Sequence, residues 1–289
     1  MKRYRSLSTP YLLWALVFVL VPLGMIFYYG LTSAEGQLTL DNFEKFFAGH
    51  ATETLLKSVR IAFLSTLVCF LLGYPMAYFV AKSSPRLRPL LLMLVVIPMW
   101  MNFLLRTYAW ITILSRKGIL NTFLTSLGLQ PMDLLYTETA VILGMVYNFL
   151  PFMILPIFTS LEKMDHSLWE ASADLGANKT QTFLNVTLPL SLPGIASGIS
   201  MVFIPAIATF EITSLLGGNK INLIGNVIQQ QFTVTGNWQY GSAMAMILMV
   251  FLIVSLLFGR EKETHAQGSM PTAQDPAAEV EMEEEVADV

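Results

Sequence analysis

The sequence predicts an all-α, polytopic integral membrane protein with about six transmembrane helices. Of its 289 residues, 54% are hydrophobic and 13% are charged, whereas a soluble domain carries roughly 25% charged residues. The charges leave six long intervals free, and about 20 apolar residues in a helix cross the ~30 Å hydrocarbon layer. Strands would leave backbone groups unsatisfied in lipid, so each span should be helical. This composition excludes a soluble enzyme, a nucleic-acid binder and a secreted disulfide scaffold.

The predicted spans follow the charge-free intervals, except that the fifth span also includes Glu211. They cover Tyr11–Gly30, Ile61–Ala81, Pro89–Leu105, Thr139–Ser160, Leu190–Leu215 and Gly241–Phe258. The first span follows a basic N-terminus, as a signal peptide would, but its roughly 20 residues exceed a signal core of about 7–15. We therefore expect an uncleaved first helix. Prolines inside several spans kink helices, which fits either simple bundle geometry or a protein that moves around a water-filled path.

Lysine and arginine residues orient these helices. If the N-terminus is cytoplasmic, ten basic residues lie on the cytoplasmic side and seven on the other, so both termini are expected inside. The resulting organisation is a cytoplasmic N-terminus at 1–10, a transmembrane region at 11–259 with its core at about 55–259, and a tail at 260–289. The tail holds nine acidic and two basic residues, and we expect it to be disordered.

Two short helices are expected between the spans on the far side of the membrane. One lies within residues 39–47, where Asp41 could cap it. The other is an interfacial helix at Ile221–Phe232.

Little in the sequence could carry out catalysis. The three histidines lie outside the spans, and a phosphate-binding glycine loop and a hydrolase serine motif are both absent. The single cysteine, Cys69, lies within an apolar span, as a small buried residue would. We therefore predict no catalytic residue and no metal site, and we expect that the chain does not hydrolyse ATP by itself.

The longest loop on the cytoplasmic side, residues 161–189, carries clear helix boundaries. Ser167 and Glu170 have the spacing of a capping box, and Gly176 lies where a left-handed C-cap is expected. Asn178 and Gln181 repeat the capping spacing at the start of the next helix.

The first helix of this loop needs a surface to pack on. Leu168, Ala171 and Leu175 would share one face of it, and a helix of about two turns is marginal in water. The surface is either the protein's own bundle or a cytoplasmic partner.

The same loop resembles the EAA motif of ABC-importer permeases, which is E-A-A-x-x-x-G followed by a hydrophobic-x-L-P segment. Here the motif is Glu170-Ala171-Ser172-x-x-x-Gly176, then Val186-x-Leu188-Pro189, with Ser172 as the one departure. The resemblance implies a type I ABC-importer permease (MetI-like) fold whose loop docks on an ATPase subunit. The residues that it assigns to ATPase coupling are Glu170, Ala171, Ser172, Asp174, Leu175 and Gly176.

A wider resemblance, over roughly residues 10–260, is to the PotB-type permeases of spermidine/putrescine importers. It is carried by Leu72-Gly-Tyr-Pro-Met-Ala-Tyr78, by Pro98-x-Trp-x-Asn102-x-Leu-x-Arg106-x-Tyr108, by Gly118-x-Leu-Asn121, by Leu150-Pro-Phe-Met153 and by Leu216-Gly-Gly-x-x-x-Asn-Leu-Ile-Gly225-Asn226. It implies a bacterial inner-membrane machine with a second, PotC-like permease, an ATPase dimer and an extracellular substrate-binding protein. ATP and magnesium would be bound by the ATPase, and this chain would bind no cofactor.

Five residues are candidates for a polyamine pathway. Glu211 is the only acidic residue in the fifth apolar stretch, and a charge near the bilayer centre costs about 2.5–3.5 kcal/mol. Trp100 and Tyr108 could offer cation–π faces, whereas Arg106, four residues after Asn102, would repel a polyamine. Glu211 could pair with Arg106 to hold the bundle together, could face a hydrated pathway, or could be interfacial with no special role.

Two other kinds of function remain open from the sequence. The chain could be an ABC permease for another small solute, such as an amine, an amino acid or an oxyanion. A secondary transporter would need coupling carboxylates in several spans and internal repeats, and only Glu211 is available. A simple membrane anchor would leave the broken helices unexplained.

Overall fold

The computed structural model of the chain describes residues 10, 13–165, 167–218 and 220–268, with backbone alone for 258–268. The regular structure within those residues is helical. The helices are α1 (Leu13–Gly30), α2 (Asp41–Ala48), α3 (Ala51–Lys82), α4 (Arg88–Trp100), α5 (Phe103–Leu114), α6 (Ile119–Ser126), α7 (Glu138–Glu162), α8 (Ser167–Asp174), α9 (Lys179–Ala208), α10 (Glu211–Leu216), α11 (Ile224–Gln230) and α12 (Trp238–Gly268).

The predicted all-α membrane fold is confirmed. Five described helices, α1, α3, α7, α9 and α12, are long and apolar enough to cross a membrane. A sixth crossing exists if α4 and the segment Phe103–Ser126 count as one span, although these two parts are bent by 91°.

Ion pairs at the two ends of the bundle show that α4 to α6 carry the chain back across it. Arg60 Nη2, near the start of α3, lies 2.6 Å from Glu138 Oε2 at the start of α7. Arg88 Nη1, just beyond the end of α3, lies 3.2 Å from Glu162 Oε1 at the end of α7. Since α3 and α7 therefore run in the same direction, the segment between them must return the chain to the opposite end. We call the end with Arg88 and Glu162 the α8 end, and the other the Glu138 end.

The core lies where α3, α7 and α9 pack together. The approach of α9 to α7 is close, because a Cβ on Gly194 would lie 2.6 Å from Cβ of Ser160. Small residues allow such helix contacts in membranes, where packing rather than water exclusion drives association. Helix α12 packs against α9 and α1 on the outside of this core.

Two predicted spans are interrupted by breaks in the backbone, and α3 begins at Ala51, before the predicted start at Ile61. The span predicted at Pro89–Leu105 is interrupted after Trp100, because Met101 takes an extended conformation and Asn102 caps a new helix. The span predicted at Leu190–Leu215 begins already at Lys179 and stops at Ala208, where Thr209 is also extended. Backbone breaks of this kind leave no hydrophobicity signal, since the side chains on both sides are apolar.

The short helices at the Glu138 end were partly predicted. Helix α2 is present, but Asp41 is its first residue and makes no side-chain cap. Instead, Thr39 Oγ1 accepts a hydrogen bond from the Asp41 N–H at 3.2 Å, so the expectation of an Asp41 cap is wrong. The predicted helix at Ile221–Phe232 is present as α11.

The last helix runs further than the sequence suggests. The backbone of α12 extends to Gly268, into the segment where disorder was expected. The rest of the tail, residues 269–289, lies outside the described residues, as do residues 1–9.

Candidate functional site

Helix α8 ends in the turn that the sequence predicts. Gly176 has φ of +80°, its N–H donates to the Ala173 carbonyl at 2.9 Å, and the Ala177 N–H donates to the Ser172 carbonyl at 3.1 Å. These two bonds form a Schellman motif, which satisfies the last carbonyls of the helix. The C-cap predicted at Gly176 is therefore confirmed, and the turn requires a left-handed residue.

The start of α8 differs from the prediction, whereas the next helix start agrees with it. Asp165 Oδ1 accepts a hydrogen bond from the Ser167 N–H at 2.9 Å, so Asp165, rather than Ser167, supplies an acceptor for the first turn. At the following helix, Asn178 and Gln181 form both bonds of a capping box, at 2.8 and 2.9 Å. Two hydrogen-bonded turns thus follow α8, and the Asp165 carboxylate supplies an acceptor before it.

One face of α8 is bare. Leu175 is 89% exposed and Leu168 is 43% exposed. Between them Ala171 is also exposed, as are Glu170 and Asp174. This apolar face of α8 is therefore largely uncovered in the structure.

The other face of α8 packs on the bundle through two side chains. Trp169 Nε1–H donates to Thr187 Oγ1 at 3.2 Å, and the Ser172 and Thr182 hydroxyls lie 2.9 Å apart. Ser172 is buried. The one departure from the EAA pattern is therefore a buried hydroxyl that has found a hydroxyl partner.

At the Glu138 end, three of the pathway candidates cluster around the break between α4 and α5. Asn102 Oδ1 accepts hydrogen bonds from the N–H groups of Leu104 and Leu105, at 2.9 and 3.3 Å, so its side chain is the N-cap of α5. Trp100 is 83% exposed and Tyr108 is 54% exposed. The break thus presents two aromatic rings on either side of a capping amide.

The remaining two candidates differ in their surroundings. Arg106 is 8% exposed, and its buried Nε has no hydrogen-bond partner. Its Cζ lies 5.9 Å from the centroid of the Phe103 ring. Glu211 is exposed and is the first residue of α10, which packs against α5. Among the described residues, the ion pairs do not include one between Arg106 and Glu211.

Two further features of the structure were not found from the sequence. Asn148 is buried on α7; its Nδ2 donates to the Gly144 carbonyl at 2.8 Å, and its Oδ1 has no partner. Lys82, at the end of α3, lies with Nζ 4.6 Å from the ring centroid of Tyr78 and 5.5 Å from that of Trp169. The spacing of Tyr78 and Lys82, one helical turn apart, is the only sequence signal for the second feature.

Three of the prolines that lie inside the predicted spans line one groove. Pro75, Pro98 and Pro151 line a groove of about 570 Å³ between α3, α4 and α7. Its lining is almost wholly apolar, which does not suit a polyamine. This groove is therefore not a polar path for the substrate.

The fold and these sites define a class of protein. A bundle of five or six membrane-crossing helices, with a short helix exposed at one end, is a polytopic membrane protein.

Comparison with known proteins identifies the family. Residues 70–260 match the family described as binding-protein-dependent transport system inner membrane component. The chain is 40% identical over 266 residues to the spermidine/putrescine transport system permease protein PotB of Haemophilus influenzae, which covers 86% of this chain and 93% of the relative. It is 41% identical over 252 residues to PotB of Escherichia coli K12, covering 84% and 92%. The chain belongs to this family of transport-system membrane components, and the predicted resemblance is confirmed.

Solved structures agree on the fold. A chain of a bacterial ABC transporter involved in the import of the acidic polysaccharide alginate matches with a TM-score of 0.73 and 19% identity, over 91% of this chain and 95% of that one. A chain of the MetNI methionine ABC transporter matches with a TM-score of 0.56 and 18% identity, over 74% and 95%. The predicted type I ABC-importer permease fold is therefore confirmed.

Proposed function

We propose that this chain is one of two permease subunits of an ATP-driven importer of polyamines such as spermidine and putrescine. The observation that carries the proposal is the 40–41% identity to PotB proteins over nearly the whole length of both chains. In this proposal the substrate passes between this chain and a second, PotC-like permease. The chain is not an enzyme: a dimer of ATPase subunits binds ATP and magnesium and hydrolyses the ATP.

Helix α8 is the proposed contact with the ATPase. Its bare face, formed by Leu168, Ala171 and Leu175, is apolar and lies beside the exposed Glu170 and Asp174. Apolar knobs with a charged rim suit a groove on a partner. The tight turns after α8 connect it firmly to α9, so that a movement of the groove carries the helix with it.

The proposed orientation puts the α8 end in the cytoplasm of a bacterial cell, with both termini on that side. Basic residues support this assignment, since Lys82 and Arg88 follow α3, and Lys163 and Lys179 flank α8. Such residues accumulate in short cytoplasmic loops. The Glu138 end then faces outward, where an extracellular binding protein would deliver the substrate.

The proposed entrance to the pathway is the break between α4 and α5. Trp100 and Tyr108 offer exposed aromatic faces to an ammonium group, and Glu211 offers an exposed carboxylate on the neighbouring α10. Arg106 is buried behind this surface. The positive charge of Arg106 repels a polyamine and so keeps it on the exposed side. We therefore assign Arg106 to the wall of the pathway rather than to substrate binding.

ATP-dependent uptake tests the proposal directly. The whole complex is reconstituted in proteoliposomes, and uptake of labelled spermidine and putrescine is measured with ATP, without ATP and without the binding protein. We expect uptake only when all components are present. Uptake of a different solute alone would retain the permease assignment and remove the polyamine. Failure of any ATPase to co-purify would instead favour a secondary transporter.

A further inference from the structure

Helix α8 is anchored to the bundle through Trp169, which is half-buried on a helix whose other side chains, apart from Ser172, are exposed. The Trp169 Nε1–H donates to Thr187 Oγ1 at 3.2 Å. Thr187 is buried and is the last residue of a π-helical turn, Phe183–Thr187, that lies within α9. One hydrogen bond therefore joins the docking helix to the first membrane-entering turn of α9.

A second contact joins the same indole to α3. Lys82 Nζ lies 5.5 Å from the ring centroid of Trp169 and 4.6 Å from the ring centroid of Tyr78. Both distances are within cation–π range. Since Tyr78 and Lys82 form the last turn of α3, a displacement of Trp169 must either move the end of this helix or lose the contact.

From Tyr78 the contacts continue into the core. The Phe183 ring lies edge-on to Tyr78 at 5.6 Å and to Tyr74 at 5.8 Å between centroids. The Tyr74 hydroxyl is 3.0 Å from that of Ser191, and both residues are buried. An unbroken series of contacts thus leads from α8 to the place where α3 and α9 cross.

The π-helical turn is the point at which this series of contacts can change its conformation. Single π-helical turns inside α-helices are rare and occur often at functional sites. Phe183 and Thr187 are the first and last residues of this turn. Phe183 contacts Tyr78, and Thr187 accepts the hydrogen bond from Trp169. A change in the position of Trp169 therefore acts on both ends of the one irregular turn at the start of α9.

We propose that Trp169 is a positioning residue that transmits the movement of α8 to α3 and α9, with Lys82 and Thr187 as its two anchors. The inference rests on the proposed function, in which α8 docks on an ATPase. It adds the route by which that docking reaches the membrane helices. Leu168, Ala171 and Leu175 bind the partner, and Trp169 acts on the opposite side of the helix.

The test separates transmission from docking. In the complete complex, Trp169→Leu removes both anchors but leaves the bare face of α8 intact. We expect the ATPase to co-purify as with the wild type, while uptake falls roughly tenfold and substrate-loaded binding protein no longer stimulates ATP hydrolysis. Trp238→Leu makes the same substitution at the Glu138 end, where Trp238 contacts Tyr29 and Phe232, and should leave uptake within about twofold.

Two finer variants test the hydrogen bond alone. Trp169→Phe keeps an aromatic ring over Lys82 but lacks the N–H donor, and Thr187→Val removes the acceptor at similar size. Each should lower uptake by about threefold. The double variant should be no worse than either single one, because both remove the same bond.

Three outcomes would overturn the inference. Normal uptake and normal stimulation in Trp169→Leu would show that the contacts transmit nothing. Loss of ATPase association in Trp169→Leu would show that Trp169 only maintains the shape of α8. A wild-type complex that recruits no ATPase would remove the proposed function and this inference together. Because that result appears already in the wild type, it is distinguishable from a failure confined to the Trp169 variants.

Discussion

The turns that follow α8 differ from the surroundings of Arg106 and Glu211 in how their polar groups are paired. In the turns after Asp174 and before Lys179, local hydrogen bonds satisfy helix termini, and the neighbouring apolar residues face outward. Arg106, by contrast, is buried with no partner for its Nε among the described residues, while the carboxylate of Glu211 is exposed. Other charges do pair at each end, as Arg60 does with Glu138 and Arg88 with Glu162, but the described residues show no ion pair between Arg106 and Glu211.

This difference separates two functional requirements. A docking helix must keep its shape while it is pushed, and the turns after α8 are held by the Schellman bonds at Gly176 and the capping box at Asn178. A pathway for a cation must keep a charge available, and an exposed carboxylate that pairs with no nearby arginine remains free to meet the substrate. A buried arginine without an ion-pair partner is costly, which indicates that its position serves a purpose other than stability.

The largest fall in uptake is expected from a substitution in the turn after α8. Gly176 has positive φ with open space around its Cα, so conformation alone decides what is tolerated there. Gly176→Val should distort the turn, because β-branched residues avoid this region, and uptake should fall more than about tenfold. Gly176→Asn is the control, since asparagine adopts left-handed conformations, and it should retain most uptake. Equal activity of both variants would show that the rigidity of this end is unimportant.

The next largest fall in uptake is expected from a substitution at Glu211. Glu211→Gln keeps the size and removes the charge, and uptake should fall by roughly three- to tenfold, a range that allows for solvent screening of an exposed group. The melting temperature should not change, since no ion pair with Arg106 is lost. Glu44→Gln is the matched control: Glu44 is another exposed carboxylate at the same end, and its variant should transport normally. A large drop in melting temperature for Glu211→Gln would mean that the two charges do pair in the assembled complex.

The sequence predicted the α8 end better than the Glu138 end, for a physical reason. Capping boxes and left-handed glycines act over three to six residues, so Gly176, Asn178 and Gln181 could be identified from spacing alone. The pairing or separation of Arg106 and Glu211 depends on how α5 packs on α10, and those helices are about a hundred residues apart in the chain. No local pattern contains that information.

The break between α4 and α5 is another feature that local sequence patterns could not predict, although it lies within a single predicted span. Hydropathy located the apolar interval correctly but not the 91° bend inside it. The bend depends on the Asn102 side chain turning to cap α5, and an asparagine inside an apolar run is equally compatible with a continuous helix.

A smaller effect is expected from removing that cap. Asn102→Ala deletes both hydrogen bonds to the first turn of α5 and should cost about 1 kcal/mol of stability. Asn102→Asp should keep the cap and act as the control. Because the bend positions Trp100 and Tyr108, uptake should also fall in Asn102→Ala, by less than in Glu211→Gln. A stable variant with lower uptake would instead assign Asn102 to the substrate.

The smallest effect is expected where this sequence departs from the EAA pattern. Ser172→Ala restores the third small residue of the motif but removes the bond to Thr182, and it leaves that hydroxyl without its partner on α8. The net value of such a bond is about 0.5–1.5 kcal/mol, and Thr182 is only half-buried, so water can replace part of what is lost. Uptake should therefore stay within about twofold of the wild type. Thr182→Val, which leaves the more deeply buried Ser172 unpaired, should lower the melting temperature more than Ser172→Ala does. Thermal unfolding of the two single variants and the double variant measures this order. The reverse order would show that the hydroxyl pair stabilises α9 rather than α8, and that the docking helix depends less on local bonds than the contrast with Arg106 and Glu211 implies.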